Sequence, residues 1–375
     1  MMYWQHEYLR EDASMGRNST YKIDLPDEGL LSGFFFRITG NGVSGAFADT
    51  EKWRICDFIE KIEVIANGSI VIKSLSGSEL QALQAFDSGI TSLDYWHSYA
   101  TGTKRFQCAL LFGRSLFDED FGLDLTKWDN VELRITNNAS STYFGGDFAL
   151  TMLCFYKRGD VAGFKGYLRT EEWRSYTTVQ NETKYLELPT ENRIRRIIMQ
   201  VIPDVSATEI EKTGMNNLID DLELSLQTGV LRVYKGGIDD LMRLNALFLK
   251  RLQLVAPQYY LNADQGRNIG LGYVLGGAWG SGSQDGAVSG TLPTLEGMRT
   301  SFTQKPETYE ADSPIQAIHI GLCPENCVFF PFNYKDDPDS YLDPMAEKTV
   351  QLDLHTRDIA DAAGGKVNIV LDRIV

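Results

Sequence analysis

Short runs in which apolar and polar residues alternate recur along most of the chain, and residues that favour turns separate them. Residues 131–135 (V-E-L-R-I) and 350–354 (V-Q-L-D-L) show this pattern clearly. Alternation with a period of two predicts a β-strand that turns one face toward a core and the other toward water. Many short strands with few helical segments are typical of an all-β sandwich.

Several of these runs occur twice. Residues 23–26 (I-D-L-P) match 186–189 (L-E-L-P), and residues 58–64 (F-I-E-K-I-E-V) match 218–224 (L-I-D-D-L-E-L), at an offset of about 161 residues. Three later matches share an offset of 219 residues: 108–112 with 327–331, 131–135 with 350–354, and 148–152 with 367–371. A repeat of this kind predicts two copies of one structural unit.

The matched segments predict the same local structure in both copies. Two strands flank a turn, at Asn67-Gly68 in the first copy and at Thr228-Gly229 in the second; Asn-Gly favours a type I′ hairpin because both residues tolerate a positive φ. A short helix follows, with a capping box predicted at Ser78 and Gln81. The apolar residues predicted to share one helix face are Leu80, Leu83 and Phe86 in the first copy and Leu241, Leu244 and Leu247 in the second.

The change of offset from about 161 to 219 residues places an insertion in the second copy, at about residues 252–318. Nine glycines between residues 264 and 290 make a long surface loop the expected structure. We therefore predict two tandem eight-stranded jelly-roll β-sandwiches, each with a short helix, and a long loop insertion in the second. The predicted divisions are an N-terminal arm (1–20), a first jelly roll (21–158), a linker (159–183) and a second jelly roll (184–375).

Charge and composition exclude several classes of function. The net charge of the 375 residues is −15, which argues against a nucleic-acid binder and against electrostatic docking onto anionic lipid. No apolar run approaches the roughly 20 residues that span a bilayer, and the start of the chain lacks the pattern of a signal peptide. The odd count of five cysteines then points to a reducing compartment.

Catalytic and cofactor motifs are not evident. The four histidines form no metal-binding pair, and no nucleophile elbow or dinucleotide fingerprint is present. Cys323 and Cys327 do not have C-x-x-C spacing, and no second Cys or His pair completes a zinc site. The sequence leaves open whether these two cysteines form a disulfide. We therefore predict no catalytic, cofactor-binding or structural metal residues.

Two acidic clusters and an aromatic N-terminus remain as candidate sites. The clusters, at matching places in the two copies, contain Asp118, Glu119, Asp120 and Asp124 in the first and Asp336, Asp337, Asp339 and Asp343 in the second. Solvated loops are the simpler reading; a calcium site, with Asp118, Asp120, Asp336 and Asp337 as candidate ligands, is the alternative. Tyr3, Trp4 and Tyr8 predict either a terminus docked on its own chain or a helix that contacts a neighbouring subunit or a membrane surface.

The tandem plan, with its strand–turn–strand–helix unit at residues 58–86, resembles the double jelly-roll major capsid proteins of the tectivirus, corticovirus, turrivirus and Flavobacterium lipid-containing phage lineage. The resemblance covers nearly the whole chain and rests on architecture and length. It implies a structural, non-enzymatic protein of the virion, made in the host cytoplasm. It also implies homotrimeric, pseudo-hexagonal capsomers in an icosahedral shell, with the insertion as an outward tower.

The partners that the resemblance implies are other copies of the chain, neighbouring capsomers, penton and minor capsid proteins, and an internal viral membrane touched only peripherally. Direct contact with nucleic acid is not expected. The alternative function is a glycan-active or carbohydrate-binding double β-sandwich of the secreted type. Paired carboxylates would serve such an enzyme, but the sequence does not show whether any of them converge.

Overall fold

The computed structural model describes residues 1–43, 54–89, 102–159, 162–202, 215–248, 254–260, 267–270, 279–282, 299–304, 315–321, 323–332 and 336–375. The chain forms two compact units. Unit 1 comprises Met1–Glu171, Pro257–Asn262 and Val375, and unit 2 comprises Glu172–Ala256 and Ala263–Ile374.

Unit 1 contains two groups of neighbouring strands. Its elements are β1 (Tyr3–Met15), β2 (Ser19–Asp24), β3 (Leu30–Gly42), α1 (Ile55–Phe58), β4 (Ile59–Ala66), β5 (Ile70–Leu75), α2 (Gly77–Ser88), β6 (Gly102–Leu111), β7 (Leu123–Asp124), a 3₁₀ turn (Leu125–Lys127), β8 (Val131–Asn137) and β9 (Phe148–Arg158). Strands β1, β9, β3 and β6 lie side by side in that order, with the short β7 also beside β3. The second group has the order β2, β8, β4, β5.

Unit 2 repeats this arrangement. Its elements are β10 (Leu168–Thr177), which begins in unit 1, β11 (Thr183–Glu187), β12 (Ile194–Ile202), α3 (Met215–Leu218), β13 (Ile219–Leu226), β14 (Leu231–Gly237), α4 (Ile238–Phe248), β15 (Leu254–Tyr260), β16 (Arg267–Gly270), β17 (Trp279–Gly282), β18 (Arg299–Gln304), β19 (Ile315–Gly321), β20 (Cys327–Pro331), α5 (Pro344–Glu347), β21 (Val350–Thr356), β22 (Lys366–Ile374) and 3₁₀ turns at Pro324–Asn326, Pro338–Ser340 and Ala360–Ala362. One strand group has the order β10, β22, β12, β20 and the other the order β11, β21, β13, β14.

The strand orders confirm the repeat that the sequence predicts. Strand by strand, β1 to β6, β8 and β9 of the first copy occupy the places of β10 to β14 and β20 to β22 of the second. The sequence offsets are preserved in the pairing: Leu133 lies opposite Val64, and Leu352 lies opposite Leu224. Each copy is an eight-stranded jelly roll, so the predicted fold class is confirmed.

The first strand of each jelly roll is where the predicted divisions are wrong. Residues 1–20 are not a separate arm, because β1 pairs along its whole length with β9, from Tyr3 opposite Arg158 to Met15 opposite Phe148. Residues 159–183 are not only a linker, because they contain β10, the counterpart of β1. Both strands are polar and lie partly exposed, so hydrophobic periodicity does not mark them.

The core of unit 2 shows why the alternating strands form a sandwich. Its buried cluster combines residues from both strand groups, such as Leu224 and Leu352 from one and Met199 and Ile369 from the other. Strands β8 and β21 both alternate strictly between buried and partly exposed positions, as their sequences predict. Trp173, which the sequence analysis expected to pack onto a sandwich, lies against this core.

A side-chain amide fixes the helix of each copy to a neighbouring strand. In unit 1, Gln84 of α2 accepts a hydrogen bond from the backbone N–H of Ala109 at 2.7 Å. In unit 2, the buried Asn245 of α4 binds both backbone groups of Phe329, at 2.6 and 2.8 Å. The helices thus cover part of the open edges of β6 and β20, which is one way in which proteins protect edge strands.

The capping box of α2 lies two residues before the predicted one. Ser76, not Ser78, is the N-cap: its hydroxyl accepts from the N–H of Glu79 at 3.2 Å, and the Glu79 carboxylate accepts from the N–H of Ser76 at 2.8 Å. The motif Ser-x-x-Glu fits position 76 as well as Ser-x-x-Gln fits 78. Sequence pattern alone does not choose between them, because the end of β5 decides where the helix can begin.

Replacing Ser76 with alanine is expected to lower the free energy of unfolding by about 1 kcal/mol, because two N–H groups of the first helical turn lose their organised partners. Replacing Ser78 with alanine is the matched control and should cost no more than about 0.5 kcal/mol. Urea unfolding followed by circular dichroism measures both. Equal losses, or a larger loss for Ser78→Ala, would show that the cap is at position 78.

The insertion of the second copy lies largely outside the described residues. Five strands are described in the part of the chain from 254 to 321, and they include two antiparallel pairs, β16 with β17 and β18 with β19. Most of the glycine-rich segment 264–290 is not described. Its tower-like structure stays a prediction.

All five cysteines are free and buried, including Cys323 and Cys327. The question that the sequence left open is therefore answered: these two residues form no disulfide in the structure. Burial raises the pKa of the Cys154 thiol to about 12 and raises the pKa of Cys323 as well. Buried thiols of this kind are inert and serve as small apolar side chains.

Candidate assembly surfaces

Exposed apolar side chains concentrate on the hairpin and helix of the second copy. Val233 of β14 is 44% exposed, and Leu244 and Leu247 of α4 are 39% and 69% exposed. The prediction that Leu241, Leu244 and Leu247 share a buried face is therefore correct only for Leu241, which has no exposed surface. Apolar side chains left in water in one region are typical of a surface that another molecule covers. We call Val233, Leu244 and Leu247 the α4 patch.

The aromatic residues of the N-terminus are divided between the interior and the surface. Trp4 packs against Phe117, with ring centroids 5.0 Å apart, and His6 stacks on the same ring. Tyr3 and Tyr8 are 56% and 60% exposed. Residues 3–15 form a strand, so the prediction of an N-terminal helix is wrong; Tyr3 and Tyr8 remain available for contact with a neighbour.

Strand β1 lies at the end of its strand group, and β14 lies at the end of another. The outer backbone edge of neither strand is paired with another strand in the described part of the chain. An exposed strand edge offers unpaired N–H and C=O groups to a further strand. The β1 edge and the β14 edge are therefore candidate assembly surfaces by backbone geometry as well as by apolar exposure.

The first acidic cluster is organised by an arginine. Both carboxylate oxygens of the buried Asp118 accept from Arg114, Oδ2 from Nε at 2.7 Å and Oδ1 from an NH₂ group at 2.8 Å. Asp118 also accepts from the backbone N–H groups of Asp120 and Phe121. Burial would raise the pKa of Asp118, but these hydrogen bonds outweigh it and hold the pKa below its ordinary value. The carboxylate fixes its own loop.

The second cluster repeats this device with a different arginine. Asp336, at the place in the second copy that Asp118 has in the first, receives two hydrogen bonds from Arg195, at 2.8 and 2.5 Å, and one from the Tyr341 hydroxyl at 2.6 Å. Arg195 also binds Asp372 at 3.0 Å, and the side chains of Arg195 and Asp372 are 2% and 1% exposed. Burial would raise the pKa of Asp336; Arg195 and Tyr341 bring it down to about 2.

Three other acidic residues cap short helical turns. Asp124 and Asp337 each accept from the N–H two residues later, and Asp343 accepts from the N–H groups of Met345 and Ala346. Asp337 and Asp343 each precede a proline, the signal of an N-cap followed by the first helical residue. Within the ranges that the structure describes, no group of three His, Cys, Asp or Glu side chains could hold a metal ion.

Each candidate calcium ligand thus has a local role in the structure: Asp118 and Asp336 bind arginine, Asp337 caps a turn, and Asp120 bonds Lys165 at 2.8 Å. The signal that sequence reasoning missed is the Asp-Pro pair. No helix among the described residues is long and apolar enough to cross a membrane.

Comparison with known proteins places the fold. No protein-family model matches the sequence, and no curated protein matches it. Among solved structures, the chain is similar to the major capsid protein of Sulfolobus Turreted Icosahedral Virus, with a TM-score of 0.62, 11% identity, and 100% of this chain and 97% of that chain covered.

Two further structures show the same likeness. The PBCV-1 virus capsid has a TM-score of 0.57 and 8% identity, with 100% of this chain and 94% of that chain covered. The major capsid protein P2 from Bacteriophage PM2 has a TM-score of 0.52 and 9% identity, with 100% and 98% covered. At this identity the likeness establishes the fold, a double jelly roll over the whole chain.

Proposed function

We propose that this protein is the major capsid protein of an icosahedral virus and that it forms trimeric, pseudo-hexagonal capsomers. The observation that carries the proposal is similarity over full length: both jelly rolls are matched, and 97% of a major capsid protein is covered by 100% of this chain. A single shared sandwich would be a common architecture, but two in tandem over the whole length are far more specific.

The duplicated fold suits such a role physically. Three chains with two similar jelly rolls each supply six similar blocks, so a three-fold ring approaches the hexagonal outline that tiles a shell. The exposed β1 edge, β14 edge and α4 patch provide surfaces for contact between copies. The role is structural and needs no catalytic group.

The proposal extends to the location and partners of the protein. The chain would be made in the host cytoplasm and would reside in the virion, where it contacts neighbouring capsomers, penton proteins and minor capsid proteins. Contact with an internal viral membrane would be peripheral. Because the net charge is −15, such contact would rest on exposed aromatic residues such as Tyr3 and Tyr8 rather than on attraction to anionic lipid.

Native mass spectrometry of the full-length protein tests the proposal. We expect a stable species of three times the chain mass of 42.1 kDa, and hexagonal particles by negative-stain microscopy. A protein that stays monomeric over a wide range of concentration contradicts the proposal. Glycan release, or glycan binding by such a monomer, would instead favour the alternative of a glycan-active sandwich.

A further inference from the structure

Equivalent apolar positions of the two jelly rolls differ in exposure. The offset of 161 residues pairs Ile72 with Val233, Leu83 with Leu244 and Phe86 with Leu247. All three first-copy residues are buried, whereas their second-copy counterparts form the exposed α4 patch. The second copy thus keeps large apolar side chains at positions where the first copy covers them.

The backbone edges show the same difference. In unit 1 the edge of β5 is covered: Lys73 and Ser74 lie opposite Thr170 and Glu171 in a parallel pairing. The buried Lys73 ammonium donates to the Thr170 hydroxyl at 2.7 Å. The counterpart of β5 in unit 2 is β14, whose outer edge is paired with no other described strand. Covering is therefore missing from β14 at the same place.

The repeat identifies the strand that would fit there. Thr170 and Glu171 begin β10, and β10 is the counterpart of β1. Thr178, just after β10, exchanges backbone hydrogen bonds with Gly364 and Gly365, and the same offsets place Ser14 opposite Ala149 in β1 and β9. The positions in β1 that correspond to Thr170 and Glu171 are Leu9 and Arg10, and the outer edge of β1 has no partner strand among the described residues.

The charges of the two edges are complementary. Strand β1 carries Glu7, Glu11 and Asp12 against the single cation Arg10, so its net charge is negative. Strand β14 carries Arg232 and Lys235 and no acid. Both of these cations share one carboxylate of their own chain, Glu223, at 2.7 and 2.9 Å, which leaves an excess of positive charge at this edge.

We infer that the β14 edge and the α4 patch bind the first jelly roll of a second copy of this chain, with β1 of that copy added in parallel along β14 so that its Leu9 and Arg10 lie opposite Tyr234 and Lys235. The two surfaces differ, so the contact is head-to-tail and closes by rotation into a ring. The inference rests on the proposed function for the size of that ring, which would hold three chains.

Paired cysteines test this contact in the full-length protein. Arg10→Cys and Lys235→Cys are introduced into separate chains; the native cysteines are all buried, so they can stay. After assembly, a short bismaleimide should cross-link a mixture of the two variants into a dimer on denaturing gels. Neither variant alone should cross-link, because a head-to-tail contact never brings two identical positions together. The double variant should give cross-linked trimers.

Tyr185→Cys provides the matched control. Tyr185 lies exposed on β11, at the opposite end of the strand group that contains β14, and its mixture with Arg10→Cys should not cross-link. Cross-linking of Lys235→Cys alone, or no cross-link in a mixture that is trimeric by native mass spectrometry, overturns the inferred contact but leaves the proposed function intact. Wild-type protein that is monomeric overturns the proposed function itself.

Discussion

Replacing Arg195 with alanine is expected to lower the free energy of unfolding by about 3–5 kcal/mol. The guanidinium neutralises Asp336 and Asp372, and Asp372 is only 1% exposed. Without Arg195, the Asp372 carboxylate would be a buried charge without its ion-pair partner, and the loop that carries Asp336 would lose its attachment. Urea unfolding of the purified protein at neutral pH, followed by circular dichroism and tryptophan fluorescence, measures the loss.

Arg193→Ala is the matched control. Arg193 is also paired with two carboxylates, those of Asp339 and Asp343, but its side chain is 44% exposed and water can replace these partners. Its replacement should cost no more than about 1 kcal/mol. A loss at Arg195 as small as that at Arg193 would mean that the buried network stabilises nothing beyond an ordinary surface ion pair.

Replacing Leu247 with glutamate is expected to raise the dissociation constant of the trimer by more than about 30-fold, the equivalent of about 2 kcal/mol for an interface hot spot. Leu247 is the most exposed member of the α4 patch, so the substitution removes apolar contact area from the inferred interface and places a charge there. Folding of the single chain should hardly change, since the side chain is already in water. Sedimentation over a dilution series measures the dissociation constant.

Met345→Glu controls for the effect of placing a charge at an exposed apolar site. Met345 is 72% exposed, and its first-copy counterpart at an offset of 219 residues, Thr126, is exposed too, so the repeat gives no reason to expect cover there. This variant should remain trimeric. Equal weakening by both substitutions would indicate a general effect of charge, and a Leu247→Glu protein as trimeric as the wild type would remove the α4 patch from the interface.

Local sequence predicts the frame of the protein well. The repeat at two offsets is reproduced by the strand pairing, because the strands that define it alternate and bury one face. The Asn67-Gly68 turn forms as expected, with φ values of 49° and 71°. Such features follow from side-chain periodicity and backbone preference within a few residues.

Edge strands and charged loops are predicted poorly. Strands β1 and β10 read as an arm and a linker because their stability comes from pairing with β9 and β22, more than a hundred residues away. Asp118 and Asp336 read as possible cation ligands because the sequence does not show which arginine approaches them. For Asp336 that arginine is Arg195, at a β-bulge of β12.

The sequence by itself determined that the chain contains two jelly rolls of one plan, where their hairpins and helices lie, and that the second copy carries the insertion. These properties depend on local periodicity and on similarity between the two copies. Only the tertiary structure decided that Leu83 and Phe86 are buried while Leu244 and Leu247 are exposed, since all four fit the same helical pattern. Burial depends on what covers a position, and the residues that provide the cover are distant in the chain or, as we infer for the α4 patch, belong to another copy.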